Sequence, residues 1–286
     1  MASLVPRLLE KRTNMYRLIV CDLDGTLHSG NEPVRPAVRQ AMQAVVDAGH
    51  WITLSTGRGL QLLRPFLGQV VVNAPLICCN GGLILAPETH RILYLQPTSL
   101  PLAHDVLRLA GKEGWGALVY LDDLETMLEY QWDGPGFQLT RGGTIVGQGL
   151  DAVSELIRPP HKLIVHSPSA SATPAVIVRL QECVGDRARI VASSPRAVEI
   201  LMPGVSKARG LARVAQELGV TPQETVAVGD GDNDIEMLQW AGLGIAMGNG
   251  MPGVRAIADW IAPPVEEDGV VVALHRFVLS AANATG

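Results

Sequence analysis

Two aspartates, Asp22 and Asp24, close the apolar run Leu18 to Cys21 and are followed at once by Gly25, Thr26 and Leu27. Alternate side chains of an extended segment share a face, so both carboxylates are expected to point one way and Leu23 back into the core. Gly25 supplies the permissive backbone that turns the chain away from them. Ionised neighbours of this kind repel, and a fold tolerates them when a cation bridges them or one holds a proton. Either state serves chemistry: one carboxylate as an oxygen nucleophile on a metal, the other as acid and base. An Asx turn closing a strand accounts for one Asp and the glycine, but not for both acids.

Three further groups follow apolar runs, at the strand ends where open α/β sheets gather their ligands. Ser55-Thr56-Gly57-Arg58 comes after Trp51 to Leu54. A hydroxyl and free backbone N–H groups entering a helix make an anion cradle, though a plain N-cap has the same residues. Val205-Ser206-Lys207 opens a helix with Ser206 as its cap. Lys207 is more telling, being one of only four lysines beside 19 arginines. A compact ammonium meets a different need from a planar guanidinium fork.

The last group is Gly229-Asp230-Gly231-Asp232-Asn233-Asp234, after Thr225 to Val228. Asp230 and Asp234 are four apart at a helix start and share a face. So oxygen-rich a cluster suits a hard cation. An EF-hand fails, because Ile235 stands where its glycine must be and Ala241 where its last Glu must be. Asp232 is expected to face solvent.

A frame must bring these groups together. Short apolar runs at Leu18–Cys21, Trp51–Ser55, Leu76–Cys79, Thr225–Val228, Leu243–Ala246 and Trp260–Ile261 alternate with amphipathic segments such as Val34 to Ala48 and Lys207 to Leu218. That pattern predicts a parallel sheet covered by helices on both faces. From about Leu83 to Met202 the runs pair without intervening helices, which predicts an inserted α+β unit with an antiparallel sheet. The aromatic residues of this insert are read mainly as core. Thr140 to Gly149, with four glycines, is expected to be a loop.

With 286 residues and 47% hydrophobic composition, one or two domains are expected. No apolar run reaches the length of a membrane span. The net charge of −5, without a basic cluster, argues against nucleic acid as partner. Cys21, Cys78, Cys79 and Cys183 show no zinc or CxxC spacing and read as structural thiols of a cytoplasmic protein. Residues 1–14 have the wrong charge order for a secretory signal and are expected to be an N-terminal extension.

In order and content the four groups resemble the haloacid dehalogenase (HAD) superfamily over Leu18 to Leu274. More narrowly they resemble Cof-type phosphatases with a type IIB cap, through Cys79-Asn80-Gly81-Gly82, Val205-Ser206-Lys207, Gly244-Ile245-Ala246-Met247-Gly248-Asn249 and Glu267-Asp268-Gly269-Val270. The resemblance implies a Rossmann-like α/β core over 15–83 and 203–286, with a type IIB α+β cap over 84–202. It implies hydrolysis of a phosphomonoester through an aspartyl-phosphate, with Asp22 as nucleophile and Asp24 as general acid and base. Mg2+ would be held by Asp22, the Asp24 carbonyl, Asp230 and Asp234. Thr56, Gly57, Arg58, Asn80, Gly81, Lys207 and Asn233 would bind substrate or phosphate. The Asp24 pKa is expected to be raised by its carboxylate neighbours.

The substrate implied is a small phosphorylated metabolite: a sugar phosphate, pyridoxal phosphate or a nucleotide-like compound. The chain is expected to be a monomer or weak homodimer, with no membrane partner. Asp122-Asp123, the Thr140–Gly149 segment and Arg141 are the cap features expected to meet the organic part. A phosphomutase of the same superfamily and a non-catalytic phosphometabolite-binding protein are the alternatives.

Overall fold

The computed structural model describes residues 16–30, 32–121, 126–130, 144–148, 157–193 and 195–280, with 126–130 and 144–148 as backbone alone. Strands β1 (Leu18–Cys21), β2 (Trp51–Leu54), β12 (Thr225–Gly229), β13 (Leu243–Ala246) and β14 (Trp260–Ile261) form a parallel sheet in the order β14-β13-β12-β1-β2. Their side chains alternate between two cores. Ile19, Cys21, Val226, Val228 and Ile245 pack under the helices Pro36–Asp47 and Gly269–Leu274. Leu18, Val20, Ala227 and Ala246 pack under Lys207–Leu218, Ile235–Trp240 and Pro252–Ile257. Burying each larger aliphatic side chain contributes about 1.5–3 kcal/mol, so a strand with both faces covered is doubly anchored.

Helix Pro36–Asp47 shows how local sequence writes these elements. Proline stands in its first turn, Val38, Ala41, Met42 and Val45 make the buried stripe, and Gly49 leaves at φ 85°.

Leu76–Cys78 was expected to extend the parallel sheet. Instead β3 (Leu76–Cys78), β4 (Leu83–Leu85) and β5 (Ile92–Leu95) form a separate antiparallel sheet. The isolated bridge Ser55–Ile77 links β3 to the end of β2, and Thr53 Oγ1 donates to the Pro75 carbonyl just before β3. The reason is the turn at Cys79, Asn80 and Gly81, all at positive φ, which folds the chain straight back into β4. Leu83, Ile84 and Leu85 pack in the two cores of the parallel sheet. We therefore propose that the inserted unit begins after Leu95, later than the boundary at 84 expected from sequence.

Beyond that point lie β6 (Gly116–Tyr120), β7 (Thr126–Tyr130), β8 (Thr144–Gln148), β9 (Lys162–His166), β10 (Arg189–Ala192) and β11 (Ala197–Leu201), in the order β10-β11-β9-β6-β7-β8. All neighbours are antiparallel except β7 and β8. Thr144–Gln148 is thus a strand where a loop was expected, because pairing with β7 satisfies its backbone despite the glycine at 147. Asp122, Asp123 and Arg141 lie outside the described residues. Helices Leu100–Glu113 and Thr173–Val184 cover one face of this sheet through Ala117, Val119, Leu163, Val165, Val198 and Ile200. The opposite face carries Leu118, Tyr120, Ile164 and Ala197 and packs on Leu62 of the core helix Leu60–Leu67. That second face looks onto the ends of β1 and β12. Among the described residues no helix is long and apolar enough to cross a membrane.

Candidate active site

A cavity of about 720 Å³ opens between the C-terminal ends of the parallel strands and the bare face of the inserted sheet. Asp22, Asp24, Gly57, Arg58, Asn80, Lys207, Asp230 and Asn233 line its core side, and Lys162, Ile164, His166 and Glu199 its far side.

Asp22 follows β1 directly, and its backbone N–H still donates to the Val228 carbonyl at 2.9 Å. It lies on the side of the sheet where helix Lys207–Leu218 begins. Lys207, buried at that helix start, places Nζ 2.8 Å from Asp22 Oδ1 and 2.6 Å from Asp234 Oδ1. Ser206 caps the helix, accepting from the Arg209 N–H. Asp234 is held by the turn it belongs to: its Oδ2 accepts from the N–H groups of Asp230 and Gly231. Thr26 Oγ1 donates to Asp230 Oδ1 at 3.0 Å. Gly25 sits at φ 76°, and a Cβ there would collide with the Asp230 carboxylate. The glycine after the two aspartates therefore serves close approach as well as turning.

One carboxylate oxygen from each of Asp22, Asp230 and Asp234 lies within 4.8 Å of the others. Burial first, then Asp234 and Asp230, push the Asp22 carboxyl up against the pull of Lys207. Burial and Asp234 push Asp230 up to about 6. Burial alone would lower Lys207, but Asp22 and Asp234 hold it above its ordinary value and keep it charged. Three carboxylates facing one ammonium leave an excess of negative charge. A divalent cation with oxygen preference fits that donor set.

Asp24 departs from expectation. The chain turns at Gly25, and Asp24 reaches Arg58 with two hydrogen bonds, 2.8 Å from Nε and 2.5 Å from Nη2. His28 Nε2 lies 3.2 Å from the same carboxylate, with its ring stacked on Phe66, over which Arg58 also lies. Burial alone would raise its pKa, yet the Arg58 and His28 contacts hold the carboxyl well below the usual range. A bidentate guanidinium outweighs the more distant carboxylates.

Thr56 is fully buried beneath the cavity, its hydroxyl accepting from the Arg58 N–H at 3.1 Å. Asn80 lines the cavity with its amide already engaged: Nδ2 donates to Glu199 Oε2 at 3.0 Å, and Oδ1 accepts from Asn233 Nδ2 at 2.9 Å. Gly81 does not line the cavity. Its φ of 93° and its packing on the Ser206 carbonyl give it a structural reason to be glycine. Asp232 is exposed at the rim.

Sequence reasoning missed Lys162 and Glu199, and gave no role to Asn249, which closes one of the motifs quoted above. Asn249 Nδ2 donates to the Gly25 carbonyl, and its Oδ1 accepts from the Val265 N–H, both at 2.8 Å. Lys162 and Glu199 were visible as charges inside the apolar strands Lys162–His166 and Ala197–Leu201.

The chain belongs to the haloacid dehalogenase-like hydrolases, whose family model matches residues 19–274. Within that family it is a Cof-type phosphatase. It is 31% identical to an HMP-PP phosphatase of Cronobacter sakazakii, over 85% of this chain and 88% of that one. It is 29% identical to the 5-amino-6-(5-phospho-D-ribitylamino)uracil phosphatase YitU of Bacillus subtilis, over 91% and 97%. It also matches endoribonuclease YBEY of Arabidopsis thaliana chloroplasts at 27% identity, over 92% of this chain but only 46% of that protein.

Among solved structures, a haloacid dehalogenase-like hydrolase from Bacteroides thetaiotaomicron superimposes with a TM-score of 0.79 at 26% identity, covering 91% of this chain and 99% of that one. A HAD subclass IIB sugar phosphatase shares the fold at a TM-score of 0.78 and 20% identity, over 91% and 98%.

Proposed function

We propose that this phosphatase hydrolyses phosphomonoesters of small metabolites, with Asp22 as nucleophile. The observation that carries this reading is the Lys207 ammonium, buried against Asp22 at the floor of an open cavity. A carboxylate approaching a phosphate dianion meets a repulsion of about 4 kcal/mol per unit charge pair at 4 Å and an effective dielectric near 20. Lys207 offsets part of it and orients the Asp22 oxygen. Mg2+ is the cation we assign to Asp22, Asp230 and Asp234, where it would supply the remaining positive charge and order the phosphoryl oxygens.

An Asp22 oxygen attacks phosphorus as the bond to the leaving oxygen breaks, and Asp24 gives that oxygen a proton. Water then attacks the aspartyl-phosphate, Asp24 takes its proton, and the Asp22 carboxylate departs. To act as acid, Asp24 must first be released by Arg58 and take up a proton from solvent, and an incoming phosphate dianion is a competing partner for that guanidinium. The Thr56-Gly57 turn and Lys207 receive the phosphoryl oxygens, and Asn233 braces Asn80 beside them.

A cavity of about 720 Å³ accepts a sugar- or heterocycle-sized leaving group, and the phosphoribityl compound in the name of one relative falls in that class. The test is phosphate release from a panel of sugar phosphates, pyridoxal phosphate and nucleotides, with and without Mg2+. Release that survives exhaustive chelation would contradict the assigned site. Positional exchange of phosphate without net release would favour a mutase.

A further inference from the structure

The face of the inserted sheet turned toward Asp22 carries an ion pair that the chemistry above does not use. Lys162 Nζ lies 2.9 Å from Glu199 Oε1, with the side chains 5% and 3% exposed. The two stand on adjacent strands, where β11 pairs with β9 and Glu199 is opposite Ile164. Both also reach across to the core. Lys162 Nζ donates to the Gly57 carbonyl at 2.6 Å, within the turn that follows β2. Glu199 Oε2 accepts from Asn80 Nδ2, and Asn80 in turn accepts from Asn233, the neighbour of Asp234.

The two core turns gripped in this way also touch each other, the Cys79 N–H donating to the Arg58 carbonyl at 2.9 Å. Cys79 and Asn80 hold φ of 50° and 54° in succession, a conformation side chains rarely adopt. The Asn80 N–H donates to the Thr56 carbonyl at 3.0 Å, so the turns are also coupled to each other. Stability is a weak reason for a buried ion pair, since apolar replacements of both partners are often as stable. Charged hydrogen bonds differ from apolar contact in fixing direction.

We propose that Lys162 and Glu199 are positioning residues for phosphoryl transfer. Seated on the core, the pair holds Gly57 and Asn80, and through them the turn that receives the phosphoryl group beside Asp22. The inference rests on the phosphatase reading above. It assigns the pair to the phosphate end of the site and not to recognition of the leaving group.

The experiment compares Glu199→Gln, and Lys162→Met/Glu199→Met, with the parent on two substrates. One is acetyl phosphate, whose leaving group carries no sugar. The other is the best sugar phosphate of the parent. The double variant removes both charges together, so no lone buried charge confounds folding. Both variants are expected to lower kcat about ten- to a hundredfold on both substrates, with KM within about twofold, as small misplacements of reacting groups do. Hydrogen exchange of the amides at 57–59 and 79–82 should rise while β1 stays protected.

A loss confined to the sugar phosphate would make the pair a leaving-group contact and overturn the proposal. So would unchanged kcat, or unchanged exchange. The exchange arm needs no turnover. An inert parent would therefore sink the phosphatase reading and leave this inference to be decided by exchange.

Discussion

Lys207 Nζ lies 2.6 Å from Asp234 Oδ1 and 2.8 Å from Asp22 Oδ1, with its side chain 1% exposed. One ammonium thus ties the carboxylate after β1 to the carboxylate after β12. A guanidinium is planar and wider, and its donors are confined to one plane where the ammonium's are not. Lys207→Arg is expected to lower kcat/KM by about 10² to 10³, the scale of losing one oriented charge-stabilising donor. Steady-state kinetics with the best substrate checks this. An Arg variant within about threefold of the parent would show that charge alone suffices at this position.

Gly25 faces the Asp230 carboxylate so closely that a methyl group cannot be added without moving that carboxylate. The left-handed backbone adds about 1–2 kcal/mol of strain for any L side chain. Gly25→Ala is therefore expected to raise the Mg2+ concentration for half-maximal activity by about ten- to a hundredfold, as other disturbances of ligand orientation do. A metal titration of activity, with urea unfolding alongside, separates this from simple destabilisation. An unshifted metal midpoint would remove Asp230 from the ligand set.

Burial, with Arg196 nearby, pushes the His166 imidazole from 6.5 down to about 3. Between those values the unfolded chain binds a proton that the folded protein does not. This histidine's contribution is therefore fully present above about pH 6.5 and is lost as pH falls toward about 3. Urea unfolding from pH 7 to 4.5 should show His166→Gln losing less stability than the parent, by at most about 1.4 kcal/mol per pH unit. Comparing the two proteins isolates the histidine from Asp230, whose raised pKa acts in the opposite sense. Equal slopes would mean that His166 titrates normally in the fold.

The grouping of Asp22, Lys207, Asp230 and Asp234 was legible in the sequence because each follows a short apolar run and its chemistry is unusual for that place. The alternation of apolar runs with amphipathic segments also foretold a parallel sheet covered on both faces, and Leu18 and Val20 do pack in the core opposite to Ile19 and Cys21. The charge state of Asp24 was not legible. It depends on a turn that brings Arg58, 34 residues away, into a two-point hydrogen bond. The departure of Leu76–Cys78 from the parallel sheet was harder to see: Asn80-Gly81 is a turn signal, but positive φ already at Cys79, which its residue type does not announce, folds the chain back into β4.

Glu199 and Asn80 are 119 positions apart and meet only when the inserted sheet is seated on the core. A signal for Lys162 was nevertheless present. It is another of the four lysines, placed in an apolar strand, and the reasoning that singled out Lys207 applied to it equally.

The central claim is that Asp22 carries the phosphoryl group between two half-reactions served by Asp24. Asp24→Asn with p-nitrophenyl phosphate tests it most directly, because phenolate leaves without a proton while the second step still lacks its base. Intact-protein mass spectrometry after rapid acid quench should show one added phosphoryl group, with a matching burst of nitrophenolate. Asp22→Asn should show neither. A burst in the Asp22 variant, or a phosphoryl group mapped to Ser55 or Thr56, would contradict the account.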